Sequence, residues 1–195
     1  FYANLYDIKQ TPTYSMRTLA YHEATPGHHH QIAHSLENEN LTLYRRFGYG
    51  TSAFSEGWAL YAERLALEVG LAENPYVELG ILQSELFRSV RLVVDTGMHY
   101  KRWTREEAMD YMKSITGMSD TEVRVEIERY IVWPGQALSY KVGMIKMLEL
   151  REKAKQELGD QFNIKDFHSA VLDHGNPPLF IVEKMIDKMI SDAKS

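Results

Sequence analysis

Asn74-Pro75-Tyr76-Val77-Glu78-Leu79-Gly80-Ile81-Leu82-Gln83-Ser84-Glu85-Leu86-Phe87-Arg88-Ser89-Val90-Arg91-Leu92-Val93-Val94 decides the fold class. Leu79, Leu82, Leu86, Phe87, Val90, Val93 and Val94 recur at three- and four-residue steps, which is the period of an amphipathic helix. Asn74 supplies an N-cap and Pro75 a first helical residue that needs no hydrogen bond. Outward from this segment the same signals repeat. Thr104-Arg105-Glu106-Glu107 and Ser119-Asp120-Thr121-Glu122 are capping boxes, each opening a helical run. Pro134 interrupts the path from the Glu122–Trp133 run into Gln136–Leu158, which ends at Gly159. Asn163–His174 reads as a short helix stopped by Gly175-Asn176-Pro177, and Pro178 opens a last helix to about Ser191. Only the aromatic-rich Phe1–Ile8 is expected as a strand. The expectation is a mainly α chain, one helical domain over residues 1–195 with at most that short N-terminal strand.

Composition narrows the function. The chain has 195 residues, 22 Lys+Arg against 27 Asp+Glu, and no cysteine. That length is ample for a buried core. The acidic balance argues against a nucleic-acid partner, whose phosphates demand a basic face. Without cysteine there is no disulfide framework, no thiolate nucleophile and no cysteine-ligated metal. No apolar run is long enough to span a bilayer, and nothing resembles a signal peptide. The chain opens at Phe1 directly into patterned sequence and reads as the C-terminal part of something longer.

The chemistry concentrates in His22-Glu23-Ala24-Thr25-Pro26-Gly27-His28-His29-His30. A His-Glu pair with another histidine within two turns is how metallopeptidase helices offer two imidazoles and a general base to zinc. The usual His-Glu-x-x-His spacing is not met, because Pro26 stands at its fifth position. On a straight helix His22 and His28 are separated by about 600° of rotation and about 9 Å of rise, and point to opposite sides. His29 recovers the face but lies roughly 10.5 Å along the axis. Pro26-Gly27 offers a kink that swings His28 back beside His22, which leaves His28 and His29 both open as second ligand. A third ligand is expected from the apolar segment Ser55-Glu56-Gly57-Trp58-Ala59-Leu60-Tyr61-Ala62-Glu63, where a carboxylate set among aromatic groups demands a cation. Glu56 is that candidate.

Together His22–Gln31, Glu56–Glu63, Arg91–His99 and Glu128–Tyr140 resemble the bacterial family called domain of unknown function 885, DUF885, whose members are described as lipoproteins or predicted zinc metallopeptidases. The resemblance runs along essentially the whole chain, with HE-x-x-PGH and EGWALYAE its most specific marks. It implies a gluzincin-like helical catalytic domain, a Zn2+ ion held by His22, His28 and Glu56, and Glu23 as general base. His29 falls at a variable place of the family motif. The resemblance also implies a bacterial extracytoplasmic location and an upstream lobe of the same protein as partner.

Metal-bound water with a Glu23 base would make this a hydrolase of peptides or small proteins. Donors are then needed for the developing oxyanion, and Tyr130, Tyr140 and His99 are the candidates, with Arg129 and His174 behind them. The rival readings are a non-catalytic helical scaffold with a vestigial or structural metal site, and a hydrolase of non-peptide amides or esters. Arg88, Arg91 and Asp95, at helical spacing, read as a solvated or ion-paired face. Met144, Met147 and Leu148 read as core. Gly48–Ala53 reads as a turn into the Glu56 helix, since no βαβ unit surrounds it.

Overall fold

A computed structural model describes residues 12–48 and 50–195, so the strand expected over Phe1–Ile8 lies outside the described residues. The described residues are mainly α, with no strand among them. In chain order the helices are α1 (Met16–Glu23), α2 (His28–Glu37), α3 (Leu43–Phe47), α4 (Ser52–Glu68), α5 (Pro75–His99) and α6 (Arg105–Thr116). They are followed by α7 (Asp120–Val132), α8 (Gln136–Leu158), α9 (Ile164–Leu172) and α10 (Leu179–Ala193).

The predicted caps are in place. The Asn74 side chain accepts from the amides of Tyr76 and Val77. Thr104/Glu107 and Ser119/Glu122 close both halves of their capping boxes. Each reciprocal pair satisfies donors that a helix start leaves orphaned. Gly117 terminates α6 at φ 66°, where a side chain is disfavoured. Asn163 caps α9, and the last helix follows Pro178.

Two apolar clusters meet along α8. One joins α4 and α8 to α9 and α10 through Phe54, Trp58, Met144, Met147, Phe167 and Ile186, so the two methionines are core as expected. The other joins α5, α6 and α7 to the start of α8 through Val90, Val94, Met112, Ile127 and Ala137. The turn around Pro134 links the two. Gly135 takes φ 80° there, and Asp95 of α5 accepts from the amides of Gly135 and Leu138. A carboxylate at that place caps α8 and opposes the positive end of its dipole.

The α5 helix forms where the periodicity places it and buries Val90 and Val94 of the expected stripe, but its N-terminal half turns a different side inward. Val77, Gly80, Ile81, Val90 and Val94 are buried, while Leu79, Leu82 and Leu86 stay exposed. Gly80 decides this rotation: a Cβ there would lie 2.4 Å from the Tyr14 carbonyl oxygen and 2.9 Å from Thr18 Oγ1. The backbone of α5 therefore packs directly on the start of α1. The same rotation carries Arg91 and Asp95 inside, at 5% and 1% exposure, so of the expected solvated or ion-paired face the ion-paired alternative holds, with Arg91 on Glu126. Burial of both is tolerated because Arg91 is paired with Glu126 and Asp95 with backbone donors.

Helices α4 and α8 cross in close contact at Gly57 and Gly143. A Cβ on Gly143 would stand 1.9 Å from the Ala53 carbonyl oxygen, and one on Gly57 would stand 2.5 Å from Gly143 Cα. By intrinsic propensity alone, Gly143→Ala would stabilise a helix interior by about 1 kcal/mol. Against backbone there is nothing that can rotate away, so the clash wins. Gly143→Ala is expected to destabilise the fold by about 1–3 kcal/mol, read as a lower denaturant midpoint; an unchanged or raised midpoint would show that the helices can part freely.

Candidate metal centre

Thr25-Pro26-Gly27 breaks the helix as its composition requires. The chain leaves α1 at Glu23, passes through a cis Thr25–Pro26 bond, and re-enters a helix at His28. Two features hold the break. The indole nitrogen of the buried Trp58 donates to the Pro26 carbonyl at 2.9 Å. Gly27 lies so close to the end of α1 that a Cβ would fall 1.8 Å from the His22 carbonyl oxygen. Only glycine fits there, and this approach brings the start of α2 back alongside the end of α1.

The result is a cluster of His22, His28 and Glu56, whose candidate ligand atoms all lie within 4.8 Å of one another. Glu56 Oε2 is 3.6 Å from His22 Nε2 and 3.1 Å from His28 Nε2. The two imidazoles meet edge to face, with ring centroids 4.8 Å apart. Two ligands held about 2.0–2.1 Å from one tetrahedral zinc ion are about 3.3 Å from each other. The two separations from Glu56 bracket that value, and the two histidine nitrogens lie within 4.8 Å of each other. Glu56 stands in the second turn of α4, since the helix begins at Ser52 rather than at the carboxylate itself. His29 is exposed and outside the cluster.

Electrostatics make the same point. Burial alone would raise the Glu56 pKa, but hydrogen bonds and charge from His22 and His28 outweigh it and hold the carboxyl at about 2. Burial lowers the affinity of His22 for a proton, yet Glu56 and Glu63 more than compensate and its pKa is raised. Glu56 and Glu63 thus hold His22 between them, with His28 beside Glu56 and Arg88 3.9 Å from Glu63 as the other positive groups in reach. Two imidazoles and one carboxylate form a donor set suited to zinc.

Glu63 was not singled out in the sequence, although it ends the EGWALYAE segment. It is 1% exposed, and its Oε1 lies 2.7 Å from His22 Nδ1. Seven residues after Glu56 on α4, it shares the same helix face two turns on. With Nδ1–H donated to Glu63, the lone pair of His22 is directed at Nε2, toward Glu56 and His28. The signal was the i, i+7 spacing of two glutamates with no other charged residue between them.

The remaining candidates separate into layers. The Tyr140 ring stacks on His22 with centroids 6.1 Å apart and planes 19° apart. Arg91 and Arg88 flank that ring at 5.0 and 5.7 Å, and Gln136, itself held by Arg129, donates toward the phenol oxygen at 3.4 Å. Tyr130 lies one layer back. Its hydroxyl donates to Glu126 and accepts from Arg91 Nε at 2.9 Å, so both its hydrogen-bonding roles are already filled. Burial pushes its pKa well up; Arg91 opposes this and Glu126 adds to it. His99 is further out, with Nε2 2.9 Å from the Tyr130 carbonyl. His174 lines a separate polar cleft with His34 and Asp173. Glu23, the last residue of α1, is exposed beside His22.

The family described as "Bacterial protein of unknown function (DUF885)" matches residues 1–186. A solved structure from Colwellia psychrerythraea, named as a putative lipoprotein, is 51% identical with a TM-score of 0.92, over 97% of this chain and 32% of that one. Another, from Shewanella oneidensis and named as a putative lipoprotein of unknown function, is 29% identical with a TM-score of 0.83, over 91% of this chain and 32% of that one. The chain thus spans about a third of the length of these relatives. No curated protein matches.

Two substitutions test the centre. Gly27→Ala is expected to force α1 and α2 apart and to weaken binding of a divalent cation, titrated calorimetrically, by at least about tenfold, as misplaced ligands do; undiminished affinity would mean that the close approach is not what gathers the ligands. Glu63→Gln keeps the shape but weakens the hold on the imidazole, with an expected loss of about 10–100-fold in metal affinity.

Proposed function

Since the chain belongs to the DUF885 family, whose description assigns no activity, its chemistry has to come from the side chains, and we propose that it is the metal-binding core of a zinc-dependent hydrolase cleaving peptide bonds. The observation that carries this reading is the convergence of His22, His28 and Glu56 at separations suited to one tetrahedral ion. When bound, zinc supplies a Lewis acid that lowers the pKa of water toward neutrality.

The protein's own groups have distinct tasks in this scheme. His22, His28 and Glu56 hold the ion and leave one side open. Glu23, adjacent to His22 in sequence and exposed, takes a proton from the attacking water and returns it to the leaving amine. Tyr140, packed on the His22 ring and flanked by two guanidinium groups, is the best placed of the three candidate donors for the developing oxyanion. Tyr130 and His99 act behind it: Tyr130 shares Arg91 with the Tyr140 ring, and His99 holds the Tyr130 backbone. The substrate is a peptide or small protein lying against this face, with an upstream lobe of the longer protein forming the opposite wall. The names of the two solved relatives support an extracytoplasmic location, and no helix among the described residues is long and apolar enough to cross a membrane.

The full-length protein carrying Glu23→Gln is expected to keep one zinc per chain while its hydrolysis of a peptide library falls by about 10²–10⁴-fold. Full turnover in that variant would remove Glu23 as the base. A wild-type protein that retains no zinc when supplied with it would remove the hydrolase reading altogether.

A further inference from the structure

Behind the Tyr140 hydroxyl stand Gln136, one turn earlier on α8, and Arg129, in the last turn of α7. Arg129 Nη2 donates to Gln136 Oε1 at 2.8 Å, and Gln136 Nε2 donates to the phenol oxygen at 3.4 Å. Gln136 and Tyr140 are both buried. The base of the glutamine is fixed as well: its backbone carbonyl accepts from Ser139 Oγ at 2.6 Å, and Ser139 is joined to Ser52 of α4 at 2.8 Å. Arg129 is held in turn, with Glu126 3.8 Å from Nη1 and the Trp133 ring 5.9 Å from the guanidinium.

The polarity of this chain of contacts is forced from its outer end. A guanidinium only donates, so the glutamine oxygen must face Arg129. That leaves the amide nitrogen, which only donates, for the phenol. The phenol oxygen therefore accepts from Gln136 and cannot give its own hydrogen in that direction. Among the described residues no acceptor takes that hydrogen. Tyr130 is the contrast: it receives from Arg91 and gives to the Glu126 carboxylate, so both of its roles are used within the protein.

We propose that Gln136 and Arg129 are positioning residues for the hydrolysis: they make the Tyr140 hydroxyl an acceptor on its inner side and so reserve its hydrogen for an oxygen of the substrate. The inference rests on the reading of Tyr140 as a donor to the developing oxyanion. Neither residue touches the substrate, and their effect is on direction alone. A tyrosine free to turn its O–H onto a protein oxygen would offer the developing negative charge a lone pair instead of a donor. Glutamate at position 136 would keep the shape and the contact with Arg129 but reverse the relay, because a carboxylate only accepts.

Two readouts test it. Neutron diffraction from a deuterated crystal of the metal-free full-length protein is expected to show the Gln136 amide deuterons toward the phenol and the Tyr140 deuteron on the far side of its oxygen. A Tyr140 deuteron lying between the two residues would overturn the proposal, whatever the protein hydrolyses. In peptide hydrolysis by the zinc-loaded full-length protein, Gln136→Glu is expected to lower kcat at least about tenfold while KM and zinc content are kept. Gln136→Met removes the relay without capturing the hydrogen and is expected to lose less; an equal or larger loss would show that the glutamine only fills space, and would overturn the proposal. If Gln136→Glu does not fold, Arg129 carries the same test. Arg129→Met frees the amide to present its oxygen to the phenol and should lower kcat several-fold, whereas Arg129→Lys, still only a donor, should restore most of it; equal rates in the two would overturn the relay. A wild-type protein that hydrolyses no peptide would remove the hydrolase reading, and the neutron measurement would still decide the direction of the relay.

Discussion

The contact on which the site depends is that of the Gly27 backbone against the carbonyl of His22. Six residues of sequence separate two imidazoles that a continuous helix would send to opposite sides. The break between α1 and α2 cancels that divergence, but only if the returning chain comes nearer than any side chain permits. Trp58, from the same helix as Glu56, holds the break from outside through the Pro26 carbonyl. One element, α4, thus supplies the carboxylate, the brace that positions the two histidines beside it, and Glu63 behind them.

The site is built in shells of increasing burial and decreasing freedom. His28 and Glu56 are half-buried and face one another. His22 is buried between Glu56 and Glu63, so its two ring nitrogens have separate partners. Behind Tyr140, the Arg91–Glu126–Tyr130 network holds a guanidinium in the interior by pairing every group that it reaches. Such an arrangement contributes little net stability beyond an apolar core of the same volume. Its physical consequence is positional: the aromatic ring over His22 packs against Arg91, a cation that cannot move without unpairing.

Much of this was legible in the sequence, and the reasons differ by residue. The helices and their starts followed from local signals, since Asn74, Thr104 and Ser119 act within a few residues of themselves. The gathering of His22, His28 and Glu56 was legible because Pro-Gly is a local cause of a non-local result. The rotation of α5 was not. The N-terminal part of its apolar stripe, Leu79, Leu82 and Leu86, is outside, because the inward side there was set by how closely Gly80 approaches Tyr14, a contact across the fold. Arg91 and Asp95 read equally as solvated or paired for the same reason: only distant partners, Glu126 and the start of α8, decide between the two. Tyr130 and Tyr140 were indistinguishable by helical phase, and only the Glu126 and Arg91 contacts separate the tied hydroxyl from the one beside the imidazole.

The crossing of α4 and α8 has a consequence for how such a centre can change over evolutionary time. Glu56 precedes Gly57 directly, and Tyr140 stands one helical turn before Gly143, so carboxylate and phenol are both anchored next to the point where main chain touches main chain. No rotamer intervenes in that gauge. Drift elsewhere in the interior can enlarge or shrink side chains and still leave the spacing between Glu56 and Tyr140 held by the backbone contact. Loss of either glycine would re-set it for both groups at once.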